Sequence, residues 1–411
     1  LASAGTVMGT VTNANLTGGG TGAAVTYSFP TAGTMYVYAI LTPNSPDPTC
    51  RPYVSMTFQV AATPALTDPT DQVLCTGSTT AAVSLVATPS ATTTFAWTNS
   101  RTSIGLAASG TGNIAAFTAT NYTNAPVTAT VAVTPTNTES AGGTIVACVG
   151  PTQSYTYTVN PIPTVNTVAD QNVCAETAVT LPFSGFVAGT VFEWTNSNTA
   201  IGLAASGTGN LSYTATNTTS SPITATIIVT PKYTNAGVTC TGNPISFTIT
   251  VNPTPTVAAV DNQVLCNGAA TTAVAFTGAT TGTVYNWTNS NTSIGLAASG
   301  TGDIASFTAV NTGATAATAT ITVTPTYTGA GFTCTGTATT FTITVNPTPS
   351  LTAVSNSIIC NGSSNAITLT GPVTGSVYSW TNDNTAIGLA ASGTGNISFT
   401  ATNPGPDPIT G

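Results

Sequence analysis

The sequence contains no histidine and only three basic side chains in 411 residues: Arg51, Arg101 and Lys232. Without an imidazole group, Ser/His/Asp or Cys/His nucleophile systems and histidine-ligated zinc or haem sites are excluded. Three cations within a net charge of −8 cannot neutralise a run of phosphates, so we expect no nucleic-acid partner. We therefore predict that the chain is not an enzyme and holds no cofactor.

Long apolar runs and a helical period are also missing. No stretch reaches the roughly 18 uninterrupted apolar residues of a membrane span, so we expect no direct membrane insertion. The first residues, Leu1 to Ala4, do not form a signal peptide with a basic n-region. Apolar residues nevertheless make up 41% of the chain and charged residues only 3%. That balance predicts folded domains rather than disorder.

What the sequence does contain is a tandem repeat. Tryptophan recurs at intervals of about 93 to 97 residues, at Trp97, Trp194, Trp287 and Trp380. The amino-acid sequence that follows each tryptophan is nearly the same, as in Trp194-Thr-Asn-Ser-Asn-Thr-Ala-Ile-Gly-Leu-Ala-Ala-Ser-Gly-Thr-Gly-Asn210. Asn-Pro-x-Pro joints, which alternate prolines hold extended, mark the boundaries at 160–163, 252–255 and 346–349.

These joints predict three complete repeats with a partial repeat on either side. The complete repeats are 63–160, 161–252 and 253–346, preceded by the second part of a repeat at 1–62 and followed by the first part of another at 347–411. Because half a repeat cannot close its own core, we expect the sequence to be an excerpt from a longer chain.

Each repeat is predicted to be a small antiparallel β-sandwich of the immunoglobulin type. Apolar residues alternate with threonine almost throughout 161–252, for example at Val179, Leu181 and Phe183. About seven short strands, a length near 90 residues and one tryptophan on the third strand fit two packed sheets. We therefore place Trp97, Trp194, Trp287 and Trp380 in the cores of sandwiches arranged end to end.

A family resemblance supports this fold. The segment Tyr27-Ser-Phe-Pro-Thr-Ala-Gly-Thr-Met-Tyr-Val37 resembles the Phe-Pro-x-x-Gly-x-Tyr-x-Val signature of polycystic-kidney-disease (PKD) domains, with the second aromatic residue displaced to Tyr36. The complete repeats resemble PKD-like and immunoglobulin-like units of large Bacteroidota surface proteins, through Asp170-Gln-Asn-Val-Cys174, Trp-Thr-Asn-Ser, Gly-Leu-Ala-Ala-Ser-Gly-Thr-Gly and Thr-Cys-Thr-Gly. The resemblance implies gliding-motility adhesins or other substrates of type IX secretion.

The eight cysteines are the strongest chemical signal, and they keep the period of the repeat. One set comprises Cys75, Cys174, Cys266 and Cys360, and the other comprises Cys50, Cys148, Cys240 and Cys334. Disulfides are the natural interpretation for a chain exposed to an oxidising exterior, and the absence of Cys-x-x-Cys and of histidine argues against metal.

Three pairing schemes fit the spacing. The first joins cysteines within a repeat, as in Cys75–Cys148, Cys174–Cys240 and Cys266–Cys334. The second joins opposite poles of consecutive repeats, as in Cys75–Cys240 and Cys174–Cys334. The third joins cysteines across a joint, as in Cys148–Cys174 and Cys240–Cys266. We prefer the first because it stabilises each repeat separately by closing a loop, although the second is geometrically easier in a simple immunoglobulin topology.

The acidic residues do not form a metal site in the sequence. None of them approaches an Asp-x-Asp-x-Asp-Gly loop, and calcium needs several oxygen ligands together. We expect solvated surface acids, with weak calcium binding at the joints as the alternative. The acids considered are Asp68, Asp71, Asp170, Asp261 and Asp303.

These observations predict a structural function. We expect an extracellular stalk or filament segment of a very large adhesin that extends a distal binding module from the outer membrane. Its partners would be further repeats of the same chain, other copies of the fibre or surface glycans. The alternatives are that the repeats themselves bind glycans or neighbouring fibres, or that they form the linker of a secreted polysaccharide-degrading enzyme.

Overall fold

The computed structural model describes the backbone of residues 33–40, 53–141 and 143–411, and side chains from residue 59 onward except Ala141. Cys50 and the start of the PKD-like segment, Tyr27–Ala32, lie outside the described residues. Apart from four 3-10 turns of three residues each, every regular element described is a strand. In that part of the chain no helix is long and apolar enough to cross a membrane.

The strands follow the predicted repeats in order. The N-terminal partial repeat contains β1 (Gly33–Ile40) and β2 (Tyr53–Val60), which pair as an antiparallel hairpin. Repeat one, 63–160, contains β3 (Ala65–Leu66), β4 (Gln72–Cys75), β5 (Ala87–Thr88), β6 (Thr93–Asn99), a 3-10 turn at Thr102–Ile104, β7 (Ser109–Thr111), β8 (Val127–Ala141), β9 (Thr144–Val149) and β10 (Gln153–Asn160).

Repeats two and three have closely similar elements. Repeat two, 161–252, contains β11 (Gln171–Cys174), β12 (Ala178–Leu181), β13 (Val191–Asn196), a 3-10 turn at Thr199–Ile201, β14 (Ser206–Thr208), β15 (Leu211–Thr214), β16 (Ile223–Asn235), β17 (Val238–Thr241) and β18 (Ile245–Asn252). Repeat three, 253–346, contains β19 (Gln263–Cys266), β20 (Val284–Asn289), a 3-10 turn at Thr292–Ile294, β21 (Ser299–Thr301), β22 (Ala317–Gly329), β23 (Phe332–Thr335) and β24 (Thr339–Asn346).

The C-terminal partial repeat, 347–411, contains fewer strands. These are β25 (Ser364–Ile367), β26 (Ser379–Thr381), a 3-10 turn at Thr385–Ile387, β27 (Ser392–Thr394) and β28 (Ile397–Thr400). They form two separate two-stranded sheets, β25 with β28 and β26 with β27.

Each complete repeat has one large sheet with the same strand order. From edge to edge it consists of the strand that ends at the first cysteine of the repeat, the last strand, the long strand, the tryptophan strand and the short Ser-Gly-Thr strand. The strand that ends at this cysteine is called the first strand below, although the two-residue strand β3 precedes it in repeat one. The orders are β4-β10-β8-β6-β7, β11-β18-β16-β13-β14 and β19-β24-β22-β20-β21, and β9, β17 and β23 each pair with the long strand of their repeat. The opposing layer is smaller, with β12 paired to β15 in repeat two and isolated bridges such as Val274↔Ile304 in repeat three.

The all-β fold of tandem immunoglobulin-like sandwiches is confirmed, but one pairing differs from the predicted antiparallel pattern. The first strand runs parallel to the last strand in all three complete repeats, as β11 does to β18. The two strands are separated by almost the whole repeat, so no tight turn forces them to be antiparallel.

The repeat boundaries stay a prediction, because contacts divide the chain into two compact units that do not coincide with them. One unit runs through Pro163 and includes Phe186–Thr190 and Tyr233–Thr241. The other consists of Thr164–Gly185, Val191–Lys232 and Gly242–Gly411. Repeat two therefore contributes residues to both units.

The core of each complete repeat lies between its two layers. In repeat two, Ile227 and Ile249 on adjacent strands are fully buried, and Trp194 packs in the same cluster. The threonines between them, such as Thr226 and Thr248, face the other side of the sheet, as the two-residue period of a strand requires. Trp97 and Trp287 occupy the same position in their own clusters, whereas Trp380 is only partly buried.

The recurring Ser-Gly-Thr sequence has a packing role that explains its repetition. Trp194 pairs with Gly207 across β13 and β14, and a Cβ atom on Gly207 would lie 2.3 Å from a ring carbon of Trp194. The same close approach occurs at Gly110, Gly300 and Gly393. Only a residue without a side chain lets the indole ring approach the neighbouring strand this closely.

Replacing Gly207 with alanine should destabilise repeat two by about 1 to 3 kcal/mol, because the added methyl group overlaps the Trp194 ring. Hydrogen exchange followed by mass spectrometry would show faster exchange in β13 and β16, while repeats one and three serve as internal standards. The exposed neighbour Ser206→Ala is the matched control and should leave exchange unchanged. Equal exchange in the two variants would contradict the packing role.

Candidate functional site

The first set of cysteines lies at the end of each repeat, beside the proline joint that follows it. Cys75 is the last residue of β4 and pairs in register with Asn160, the last residue of β10. Cys174 pairs with Asn252 and Cys266 with Asn346 in the same way. The parallel first strand therefore delivers a thiol to the pole at which the chain leaves the repeat.

Three cysteines of the second set, Cys148, Cys240 and Cys334, lie on the short strand beside the long strand, at the opposite pole. The Cys148 thiol donates a hydrogen bond to the carbonyl of Ala61, just before repeat one. Two glycines near these cysteines in sequence, Gly150 and Gly336, approach the joint closely. If each carried a Cβ atom, that atom would lie 2.1 Å from the carbonyl oxygen of Pro64 and 1.8 Å from that of Pro255, respectively. This pole is therefore packed on the joint where the chain enters the repeat.

Because the two sets occupy opposite poles, bonds form between consecutive repeats. Cys75 is bonded to Cys240, and Cys174 to Cys334, each with Cα atoms 5.6 Å apart. The preferred pairing within a repeat, with Cys75–Cys148 and Cys266–Cys334, is wrong because those thiols lie at opposite ends of one sandwich. The pairing across a joint is also wrong, since Cys174 and Cys240 have other partners.

Three described cysteines have no disulfide partner. Cys148 is partly buried, whereas Cys266 and Cys360 are exposed. Each is the counterpart of a bonded cysteine in another repeat: Cys148 corresponds to Cys240 and Cys334, and the other two correspond to Cys75 and Cys174. Cys50 lies outside the described residues.

Amide hydrogen bonds support the first inter-repeat bond. Asn160, which is fully buried, donates to the carbonyl of Asn235 at 3.2 Å and accepts from the Asn235 amide at 2.9 Å. The corresponding pair in the next repeat is Asn252 with Gly329, and both amide atoms of Asn252 are buried without a partner. The two inter-repeat contacts are therefore not equivalent.

Two of the acids act as structural hydrogen-bond acceptors. The carboxylates of Asp71 and Asp170 each accept a hydrogen bond at 2.6 Å from a backbone N–H of the last strand, that of Thr156 and that of Thr248 respectively. Asn262 does the same in repeat three. These side chains fasten the region of the first strand to the last strand.

The other acids lie apart from one another. Asp303 accepts from the Phe276 backbone, in the position that Asn210 takes against Phe183. Asp68 and Asp261 are exposed. No cluster of three His, Cys, Asp or Glu residues occurs among the described residues. The one ion pair found in that part of the chain joins Glu193 and Lys232 across strands β13 and β16, at 2.6 Å.

The tryptophans of the complete repeats are packed in the core. Trp97, Trp194 and Trp287 are 7–8% exposed, so their ring faces are covered. Their indole Nε1 atoms are buried without a hydrogen-bond partner, as is that of Trp380. The complete repeats therefore have no exposed tryptophan ring on which a sugar could stack, as the glycan-binding alternative would need.

Comparison with known proteins supports the repeat type. Residues 171–255, which cover repeat two except its first strand-free segment, match the PKD-like domain family. No curated protein matches the chain.

Several solved structures are similar at low identity. The human desmocollin-1 ectodomain is 10% identical over 86% of this chain and 77% of its own, with a TM-score of 0.27. Mouse cadherin-23 EC22-24 is 13% identical over 70% and 99%, with a TM-score of 0.30. Sidekick-1 immunoglobulin domains 1-4 are 14% identical over 83% and 92%, with a TM-score of 0.23. Similarity at this level transfers no residue role to this chain.

Two features of the site were not foreseen in the sequence. The Asn160–Asn235 pair joins residues in two repeats, and because the second position is glycine in repeat three, no repeated signal marks it. The Asp71 and Asp170 acceptors do carry a signal, because an acid or amide precedes Gln-x-x-Cys or Gln-Val-Leu-Cys in each complete repeat. The role of this residue could be recognised only once the first strand was known to run parallel to the last strand, and residue spacing does not reveal strand direction.

The Asp170 contact should depend on pH. The Thr248 N–H that donates to its carboxylate holds the pKa of Asp170 below the ordinary value of 3.8. A lowered folded-state pKa means that the contact stabilises the pairing of β11 with β18 above the unfolded pKa, and that this contribution is lost as the pH falls through the folded pKa. Acidification should therefore increase exchange in β11.

Hydrogen exchange corrected for intrinsic rates would measure this effect, with β19 as the internal control because Asn262 does not titrate. The variant Asp170→Asn should make β11 behave as β19 does. An acid-induced increase of the same size in β11 and β19 would contradict the role of the carboxylate.

Proposed function

We propose that this chain is a load-bearing stalk segment of a large adhesin on the surface of a Bacteroidota cell, extending a distal binding module from the outer membrane. The observation that supports the proposal best is the pair of inter-repeat disulfides, which connect consecutive sandwiches covalently at their poles. A stalk needs connections of this kind because tension acts along the chain from one module to the next.

The order of the two bonds along the chain strengthens the argument. Cys174 lies between Cys75 and Cys240, and Cys240 lies between Cys174 and Cys334, so the two closed loops overlap. Each loop spans at least 160 residues. If repeat two unfolds, the bonds still connect repeat one to repeat three by a short path. Overlapping loops therefore limit how far the chain lengthens when one sandwich opens.

The composition fits the same role outside the cell. Disulfides persist in oxidising compartments, which favours an extracellular location. With 3% charged residues the surface is mainly threonine, asparagine and alanine, so its contacts change little with salt or pH. Three basic residues also leave few cleavage points for trypsin-like proteases. Secretion by the type IX system and a role in gliding motility follow from the resemblance of the repeats to those adhesins.

The absence of paired catalytic groups among the described residues supports a role without chemistry. The described acids either accept structural hydrogen bonds, form the Glu193–Lys232 pair or lie apart on the surface. A carbohydrate-degrading activity would have to come from another part of a parent protein. The covered tryptophan rings disfavour the glycan-binding alternative for the complete repeats.

Single-molecule stretching tests the proposal directly. At about 3.5 Å per residue, the reduced chain should extend by roughly 900 Å between Cys75 and Cys334, whereas the shortest covalent path in the oxidised chain, through Cys174 and Cys240, allows only roughly 230 Å. The comparison is the contour length gained on full unfolding, with and without reductant.

The control variant is Cys266→Ser, which removes an unbonded thiol and should give the same contour length as the unmodified chain. Cys75→Ser should lengthen the oxidised chain by roughly 120 Å, because the path then runs along the polypeptide from residue 75 to Cys174. Equal contour lengths with and without reductant would overturn the load-bearing role.

A further inference from the structure

The two inter-repeat disulfides are matched in most respects. Their cysteines are separated by 165 and 160 positions in the sequence, so loop-closure entropy does not distinguish the two bonds. Cys75 and Cys174 are both partly buried. Their partners, Cys240 and Cys334, are each 1% exposed. A difference in stability between the bonds therefore has to come from the contacts around them.

The contact beside Cys75–Cys240 contains a reciprocal amide pair. The Asn160 amide donates to the backbone carbonyl of Asn235 at 3.2 Å, and its side-chain oxygen accepts from the Asn235 amide at 2.9 Å. Asn160 is the register partner of Cys75, and Asn235 ends β16, whose neighbour β17 carries Cys240. The pair therefore holds the two cysteine-bearing regions together independently of the disulfide.

The contact beside the second disulfide lacks this pair. Gly329 takes the place of Asn235, since each ends the long strand of its repeat. Asn252, the counterpart of Asn160, is fully buried, and neither its Oδ1 nor its Nδ2 has a hydrogen-bond partner. Burying an amide in this state is unfavourable, because the amide loses its hydrogen bonds with water. Opening this contact exposes Asn252 to water and is favoured to that extent.

The residue after the first cysteine differs in the same direction. The Thr76 hydroxyl lies 3.2 Å from the carbonyl oxygen of Asn160 and 3.1 Å from that of Asn121, and can donate to either. Ala175, at the corresponding position of repeat two, has no hydroxyl, and only its backbone N–H donates to the Asn252 carbonyl, at 2.9 Å. The cysteine-bearing turn is therefore held more firmly to the last strand in repeat one.

These contacts affect how readily each disulfide is reduced. After reduction, the two thiols stay adjacent only while the non-covalent contact persists, and that contact sets their effective concentration for re-forming the bond. A lower effective concentration gives a higher reduction potential, so a weaker reductant suffices. Without the amide pair, Cys174–Cys334 should be the more easily reduced bond.

We propose that the contact between repeats two and three is redox-sensitive, and that a dithiol reductant opens Cys174–Cys334 before Cys75–Cys240. The proposal goes beyond the stalk role and does not rest on it, since it concerns the equilibria of two bonds within the chain alone. At an intermediate reducing strength, repeats one and two stay joined by their disulfide while repeats two and three have lost theirs.

The reduction is an ordinary thiol–disulfide exchange. A thiolate of the dithiol attacks the Cys174 sulfur, the bond to Cys334 breaks, and Cys334 leaves as a thiolate that takes up a proton. The second thiolate of the reductant then displaces Cys174, which is protonated in turn. The protein gains two electrons and two protons, and the dithiol becomes a disulfide.

Equilibration of the whole chain with a dithiol buffer measures the order. Thiols that are free in the oxidised chain are first blocked with an alkylating agent. The chain is then equilibrated at graded ratios of reduced to oxidised dithiol, labelled at once with a second alkylating agent of different mass, and digested with pepsin. At low extents of reduction, label at Cys174 and Cys334 should exceed label at Cys75 and Cys240 at least tenfold, which corresponds to about 30 mV.

The variant Gly329→Asn tests the cause by placing an amide opposite Asn252. A Cβ atom at this position would lie 2.5 Å from the Asn252 oxygen and 2.9 Å from the Tyr327 ring, so both side chains have to shift. The other contact accommodates Asn235 against Asn160 in this way. Once the pair forms, the adjacent disulfide should become about tenfold harder to reduce.

The matched control is Gly331→Asn, the same substitution at the turn of the same hairpin. Gly331 has φ of +76°, which asparagine tolerates, and a Cβ atom there would meet nothing within 4 Å. This variant should leave the reduction of both bonds unchanged.

The double variant Asn235→Gly with Gly329→Asn moves the amide pair from one contact to the other. It should reverse the order, so that Cys75–Cys240 is reduced first, and a reversal cannot arise from general unfolding. Equal labelling of the two bonds in the unmodified chain, earlier reduction of Cys75–Cys240 there, or an order that the double variant leaves unchanged would overturn the proposal. Those results would mean that the amide contacts do not set the stability of the inter-repeat bonds.

Discussion

The parallel pairing of the first strand with the last strand positions everything that makes this chain distinctive. Through that pairing, Cys75 lies beside Asn160 and Cys174 beside Asn252, each at the point where the chain leaves its repeat. An antiparallel first strand would end at the other pole. The acceptor carboxylates of Asp71 and Asp170 fasten the same region to the last strand. A few hydrogen bonds at one sheet edge thus decide that the disulfides join repeats.

A second constraint shapes the interior of each repeat. The indole ring of the tryptophan strand lies on a glycine of the neighbouring strand, so Trp194 and Gly207 form one packing unit. The glycine after the 3-10 turn, Gly202, has φ of +92° and approaches the carbonyl of Thr214 closely. A side chain at either glycine would collide with its neighbour. The near-identical sequence of this segment in every repeat therefore has a packing cause.

Much of the fold could be predicted because it depends on local pattern. The two-residue period of Val179, Leu181 and Phe183 and the spacing of the tryptophans are enough to indicate sandwiches in tandem. Disulfide connectivity was predicted only as one of three alternatives: the scheme that joins opposite poles of consecutive repeats, Cys75–Cys240 and Cys174–Cys334, is the one found, although pairing within a repeat was preferred. Loop closure favours pairing within a repeat, whereas strand direction decides which thiols can meet, and the parallel direction of β4 is a property of the whole sheet. The Asn160–Asn235 pair was missed for the same reason, since it forms between repeats.

The two inter-repeat contacts differ in detail although they share a disulfide. Asn160 has a reciprocal amide partner in Asn235, whereas Asn252 faces Gly329 and keeps two buried polar atoms without a partner. A buried amide without hydrogen bonds is destabilising by about 1 to 3 kcal/mol. The two disulfides therefore join contacts that differ in their side-chain hydrogen bonding.

The most direct test of the account is a disulfide map of the folded chain under non-reducing conditions. Because the chain has only three basic residues, peptides are best produced with pepsin at acidic pH, which also prevents thiol exchange. The account predicts peptides linked through Cys75–Cys240 and Cys174–Cys334, with no bond from Cys75 to Cys148. Peptides linked within a repeat, such as Cys174 with Cys240, would contradict it.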